Sequence, residues 1–174
     1  MRLEIASLNA PRGLAELLLD LGAGENGFGG TPVATGELPL PAYLQRCVEG
    51  TDVTKLRPDH VPQTVFWALD EAEETIGMAR VRHYLNDNLR EHGGHIGYYI
   101  RHDKRGQGYG KELLRQALVE LRKIGEKRAL LTVDSDNIAS IKVIQANGGV
   151  FESEGHSAEG RNFGRFWIEL TEGP

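Results

Sequence analysis

The chain has 174 residues, 40% of them hydrophobic and 26% charged, a composition that suits one globular domain over residues 1–174. Its formal net charge of −5 argues against a general nucleic-acid or membrane-surface binder, because phosphate-rich surfaces demand a basic face. A single cysteine, Cys47, excludes an internal disulfide framework and a zinc–cysteine site; no apolar run of about 18 residues is available to span a bilayer. Glu4 interrupts any early signal-like stretch, so a cytoplasmic protein is expected.

In chain order, Arg2 to Leu8 alternates as a first strand. Pro11 suits a helix start, and Leu14, Leu17, Leu18 and Leu21 give that helix an apolar face. Gly22 to Pro32 reads as a surface loop, with a substrate lid as the functional alternative. Pro41 opens a second helix through Val48, in which Cys47 reads as a small core residue. Thr64–Leu69 and Ile76–Leu85 form a hairpin about the acidic turn Asp70–Glu74, whose Glu71, Glu73 and Glu74 read as solvated. A polar connection, Asn86–Gly93, leads into a strand containing Ile96, Tyr98, Tyr99 and Ile100. Beyond it lie a helix stopped by Gly125, a buried strand Ala129–Val133, a helix from Ile138 to Ala146, and a last hairpin from Val150–Glu154 and Arg161–Leu170.

The stretch from Gly94 to Leu121 carries the chemistry. It reads as strand, glycine loop and helix, the helix showing Leu114, Ala117, Leu118, Leu121 and Ile124 on one face. Gly106, Gly108 and Gly110 sit where the strand stops and the helix starts. Glycine backbone can approach a ligand closely, and the first amides of a helix lack intrahelical acceptors, so this is an anion site, most often for phosphate. A dinucleotide fingerprint would place a third glycine where Leu113 stands. A P-loop would need one more residue between Gly106 and Gly110, and a hydroxyl in place of Glu112. Both fail, which disfavours a nucleotide-binding protein.

The pattern that does fit is Arg-x-x-Gly-x-Gly, as Arg105, Gly108 and Gly110 after Tyr-Tyr-Ile-Arg. It resembles the acyl-CoA signature of the GNAT superfamily of N-acyltransferases, and the segment Asp134–Gly149 resembles that superfamily's Asn-x-x-Ala/Ser element and following helix. Further stretches around Arg82–Asn86, Gly93–Tyr98, Asn147–Gly149 and Arg165–Ile168 are similar to a bacterial subgroup of acetyltransferases. The resemblance runs from about Val65 to Leu170. It implies an α+β GNAT fold, with a mixed, mostly antiparallel twisted sheet flanked by helices, and acetyl-CoA as co-substrate. It also implies a small-molecule or peptide amine as acceptor, with neither nucleic acid nor membrane as partner, and allows a homodimer.

On the same resemblance, the loop Arg105, Gly106, Gln107, Gly108, Tyr109 and Gly110 holds the pyrophosphate, and backbone around Ile100 and Arg101 aligns the pantetheine. Asn137 and Ser140 lie near the cofactor arm, although Asn137 suits a helix N-cap equally well. The family's usual tyrosine, the acid for the leaving thiolate, is replaced by Ile144. Tyr98 and Tyr99 are therefore candidates for the acid, with core packing as the alternative for each. His95 is the preferred base for the amine, with His83 second. His92 and His95 are too few for a metal site. The loss of the tyrosine also leaves open a catalytically weak acyl-CoA-binding or regulatory module.

Overall fold

A computed structural model describes residues 1–170. In chain order the first half holds β1 (Arg2–Ile5), α1 (Leu14–Leu21), β2 (Gly24–Glu25), β3 (Phe28–Gly29), α2 (Leu40–Glu49), β4 (Gln63–Leu69) and β5 (Thr75–Arg82). The second half holds α3 (Asp87–Glu91), β6 (Ile96–Ile100), α4 (Tyr109–Ile124), β7 (Arg128–Asp134), α5 (Ile138–Ala146), β8 (Val150–His156) and β9 (Asn162–Glu169). The α+β order implied by the sequence is met, with two additions. The glycine-rich segment after α1 folds into a short hairpin, β2–β3, and the polar connection before β6 contains α3. Asn86 starts α3 by accepting a hydrogen bond from Leu89 N–H (3.0 Å).

Besides the β2–β3 hairpin, the described residues form two antiparallel sheets, in the orders β1-β4-β5-β6 and β7-β9-β8. β4 reads as a nearly continuous apolar run because helices cover both of its faces. On one face α4 and α5 pack against Phe66, Ala79, Ile96, Ile100, Leu131 and Val133. On the other, α1 and α2 cover Trp67, Met78 and Tyr99, which stand side by side across β4, β5 and β6. The buried stripe of α4 is Leu113, Leu114, Ala117, Leu118 and Leu121. Ile124, expected on that stripe, is 41% exposed: it lies in the last turn, immediately before Gly125 stops the helix at φ +112°.

β6 and β7 are joined at one end only. His95 N–H donates to Leu130 O (2.8 Å), and Leu130 N–H donates to the His95 ring at Nδ1 (2.9 Å). Gly94 allows this approach, for a Cβ there would stand 2.3 Å from Leu130 O. No ladder joins Ile96–Ile100 to β7. The two strands therefore part beyond His95, leaving a gap between the sheets.

Candidate active site

The backbone of β6 faces that gap in a regular alternation. Arg101 N–H bonds Ile76 O (2.9 Å) and His95 O accepts from Arg82 N–H (2.8 Å), so the odd-numbered residues serve the ladder with β5. The amides and carbonyls of Tyr98 and Ile100 then turn toward the gap. The Ile100 carbonyl is already taken by Arg105 Nε (3.0 Å).

Where β6 ends, a helical turn at His102–Lys104 leads to the glycine loop. Gly106 and Gly108 have φ of +75° and +84°, and among the described residues nothing beyond their chain neighbours comes within 4 Å of a Cβ built on either. Gly108 is the N-cap of α4 and offers no side chain to its first amides. An uncapped helix start with open backbone in front of it fits a pyrophosphate. Asn147 Nδ2 reaches Lys111 O (3.2 Å), which ties the end of α5 to the start of α4 beside this loop.

The other residues expected on the cofactor side are placed as follows. Arg105 turns from the loop: its guanidinium grips Glu25 through two bonds (3.0 and 2.7 Å), pinning the β2–β3 hairpin and holding Glu25 below the usual carboxylate range. Arg101 is committed to Asp103 (2.6 Å) and Glu74 (3.2 Å). Glu73 pairs with Arg2, so the acidic turn is bound up in ion pairs of its own. Asn137 caps α5 by accepting from Ser140 N–H (3.1 Å). Ile144 is 1% exposed and packed in the core.

Tyr98 projects from β6 toward α5. Its hydroxyl is buried and, among the described residues, makes no hydrogen bond, while Ser140 lies close enough to influence its ionisation without bonding geometry. Burial pushes its pKa up to about 12, so the group is a neutral hydroxyl at physiological pH. An orphaned buried hydroxyl is costly, and a ligand atom in the gap would relieve it.

Tyr99 is differently placed. It is 4% exposed, and its hydroxyl donates to Asp20 Oδ2 (2.7 Å) with His102 Nδ1 at 3.1 Å. Asp20 also accepts from His102 N–H (3.0 Å). Burial works to raise the Asp20 pKa, but the bonds from Tyr99 and His102 outweigh it and hold the carboxyl below its usual value. His102 Nε2 lies 3.3 Å from Glu25. Asp20, Glu25, Tyr99, His102 and Arg105 thus form one network at the open end of β6. Of these, sequence patterns single out Tyr99 and Arg105; Asp20 and Glu25 lie about eighty residues away in the chain, and His102, three residues from Tyr99, gains its role only when they arrive.

The histidine expectations do not fit a base in the gap. His95 is 3% exposed, and its Nδ1 is occupied by Leu130 N–H at the closed end of β6. Burial, then the nearby Arg90 and Arg82, push its pKa down to about 4, so it is neutral at pH 7 yet has no lone pair directed at a substrate. His83 turns toward β4, with Nε2 2.9 Å from Thr64 Oγ1. His92 stacks on Phe163 at 4.2 Å. Cys47 is buried beside Tyr43, and burial raises its thiol to about 11, as a packing residue requires.

The β2–β3 hairpin roofs the gap on the α1/α2 face. Phe28 lies against Gly97 and Tyr99 of β6, and a Cβ on Gly27 would be 3.7 Å from Asp134 Oδ1 at the end of β7. Asp134 is 6% exposed and pairs with Arg161 (2.6 Å). Of the two readings of the Gly22–Pro32 segment, this placement favours a cover over the site.

Residues 36–148 match the acetyltransferase (GNAT) family. No curated protein matches the sequence. Solved structures share the fold. A ribosomal-protein-S5-alanine acetyltransferase from Vibrio fischeri superposes with a TM-score of 0.72 at 16% identity, over 97% of this chain and 92% of the other. An N-acetyltransferase from Staphylococcus aureus Mu50 gives 0.65 at 17% identity, over 98% of each. A GNAT superfamily phosphinothricin acetyltransferase from Sinorhizobium meliloti, solved in complex with acetyl-CoA, gives 0.63 at 18%, over 99% and 89%.

Proposed function

Since the chain belongs to the acetyltransferase (GNAT) family and uses acetyl-CoA as its co-substrate, we propose that its acceptor is an amine, of a small molecule or peptide, that attacks the thioester directly. The amides of residues 106 to 111 hold the pyrophosphate at the start of α4, where the helix dipole favours an anion. The Tyr98 and Ile100 backbone groups that face the gap align the pantetheine arm and polarise the thioester carbonyl. Tyr98 supplies the proton for the departing sulfur.

The orphaned Tyr98 hydroxyl carries this reading. It reaches α5 beside Ser140, one turn before Ile144, so it approaches from the neighbouring strand the region that a tyrosine at 144 would serve from the helix. Tyr99 is the weaker acid, because its hydroxyl already donates a hydrogen bond to Asp20, and burial and then Asp20 raise its pKa. His95 and His83 are set aside as bases; the amine loses its proton to water at the open end of the gap.

Tyr98→Phe should lower kcat by about 10²-fold, the low end for a positioned proton donor, because a thiolate leaves tolerably without help. The Kd for acetyl-CoA should stay within about twofold of wild type. A Tyr98→Phe enzyme with full turnover would remove Tyr98 from the reaction. Ile144 favours a second reading, a module that binds acyl-CoA and turns over weakly. Thiol release that depends on an added amine separates the two.

A further inference from the structure

β5 carries two arginines, Arg80 and Arg82, on the same face of the sheet because strand side chains alternate. It is the face covered by α1, α2 and the β2–β3 hairpin, opposite to the face of Tyr98. Arg80 stands across from Gly97 of β6, beside the gap. Its guanidinium lies 4.4 Å above the Phe28 ring and donates to Gly29 O (3.2 Å). Arg82 donates from Nη1 to Gly93 O (3.1 Å) and Gly94 O (2.9 Å).

Among the described residues, neither arginine has a carboxylate within ion-pair distance, whereas Arg2, Arg101, Arg105, Arg115, Arg161 and Arg165 do, and Arg12, Arg46, Arg57, Arg90 and Arg128, which also lack one, are exposed to solvent. The acids near the same face are spent elsewhere: Asp134 on Arg161, Glu25 on Arg105, Asp20 on Tyr99 and His102. Tyr43, whose hydroxyl neighbours Arg80, is no substitute, because burial raises its pKa and keeps it neutral. The uncompensated charge shows on Arg82, which burial first and Arg80 second push down to about 10. Two half-buried cations side by side without an anion are unfavourable unless something supplies one.

We propose that Arg80, with the charge of Arg82 behind it on the same face, forms an anion subsite in the acceptor pocket, so that the preferred acceptor is an amine that also carries a carboxylate or phosphonate, an amino acid being the simplest case. The guanidinium fork suits both groups, and the hairpin roof at Phe28 and Gly27 places the subsite beside the gap where the amine must enter. This rests on the reading that the acceptor is an amine, and it disfavours a polycation such as a polyamine, which the two arginines would repel.

The test is a panel of α-amino acids and aminoalkylphosphonates, with the matching α-carboxamides and simple alkylamines, assayed with acetyl-CoA by thiol release. The anionic amines should be preferred in kcat/KM by about 10- to 100-fold over their neutral counterparts. Because Arg82 also ties down the Gly93–Gly94 turn, Arg80→Gln carries the mutational arm. It should collapse that preference while leaving acetyl-CoA affinity and the rate with the carboxamides within about twofold, and Arg80→Lys should keep part of the preference. Equal or better use of the neutral amines by wild type would overturn the subsite while leaving amine acetylation standing. A uniform loss with every acceptor in Arg80→Gln would overturn it too, reducing Arg80 to a prop for Phe28. If coenzyme A binds and no amine in the panel is acetylated, the amine reading itself fails, and the subsite with it.

Discussion

At its start, β6 is stitched shut: Gly94 lies against Leu130, His95 exchanges two hydrogen bonds with the same residue, and the ring is sealed from solvent. At its end the same strand is open. The Tyr98 and Ile100 backbone groups face a gap, and among the described residues the Tyr98 hydroxyl has no hydrogen-bond partner and nothing packs against Gly106 and Gly108. A strand joined along its whole length would leave no gap between the sheets, and one joined nowhere would let them separate. Substitutions at the closed end should therefore be read in stability, and those at the open end in binding and turnover.

The largest effect is expected at Gly94. Alanine there must take φ +63° with its Cβ 2.3 Å from a backbone oxygen that cannot easily move. Gly94→Ala should cost more than about 3 kcal/mol or prevent accumulation of folded protein; chemical denaturation measures it, and a near-neutral result would show that the junction is pliable.

Next comes the acid response of His95. Its folded-state pKa is about 4 against 6.5 unfolded, so the unfolded chain binds more protons between those values. The contribution of His95 is fully present above pH 6.5 and is lost as pH falls toward 4, amounting to about 3 kcal/mol. His95→Asn keeps an acceptor near Leu130 N–H but cannot titrate. It should be less stable than wild type at pH 7, lack that part of the acid-induced loss, and retain turnover at pH 8 once folded. Thermal melts across pH 4–8 check the first two points. A turnover deficit in folded His95→Asn, relieved at higher pH, would restore the histidine to the reaction.

The smallest of the three lies at the open end. In Gly108→Val the φ of +84° costs about 1–2 kcal/mol of stability, with no further steric cost because none of the described residues beyond its chain neighbours lies within 4 Å of the new Cβ. Coenzyme A affinity should fall about tenfold or more, because the isopropyl group occupies the space in front of the α4 amides. Calorimetry on the folded variant decides this, and unchanged affinity would separate the loop from the ligand.

The sequence by itself determined whatever rests on neighbours in the chain. The loop from Arg105 to Gly110 was legible because left-handed glycines and an uncapped helix start are local chemistry, and the Asn137 cap because its acceptor and donor are three residues apart. The α4 stripe was legible except at Leu113 and Ile124, where the shape of the surface beneath the helix, and not the 3.6-residue period, selects the buried residue. Tertiary structure alone decided the roles of the histidines and tyrosines. Alternation assigns His95 and Tyr98 to opposite faces, but which end of β6 is sealed depends on where β7 returns, and that depends on Gly94 meeting Leu130. Tyr99 reads no differently from Tyr98 until Asp20 comes to it from α1, 79 residues earlier. The spacing of Arg80 and Arg82 was likewise visible, while their want of an anion was not, because a missing partner can be recognised only when every other acid has been placed in space.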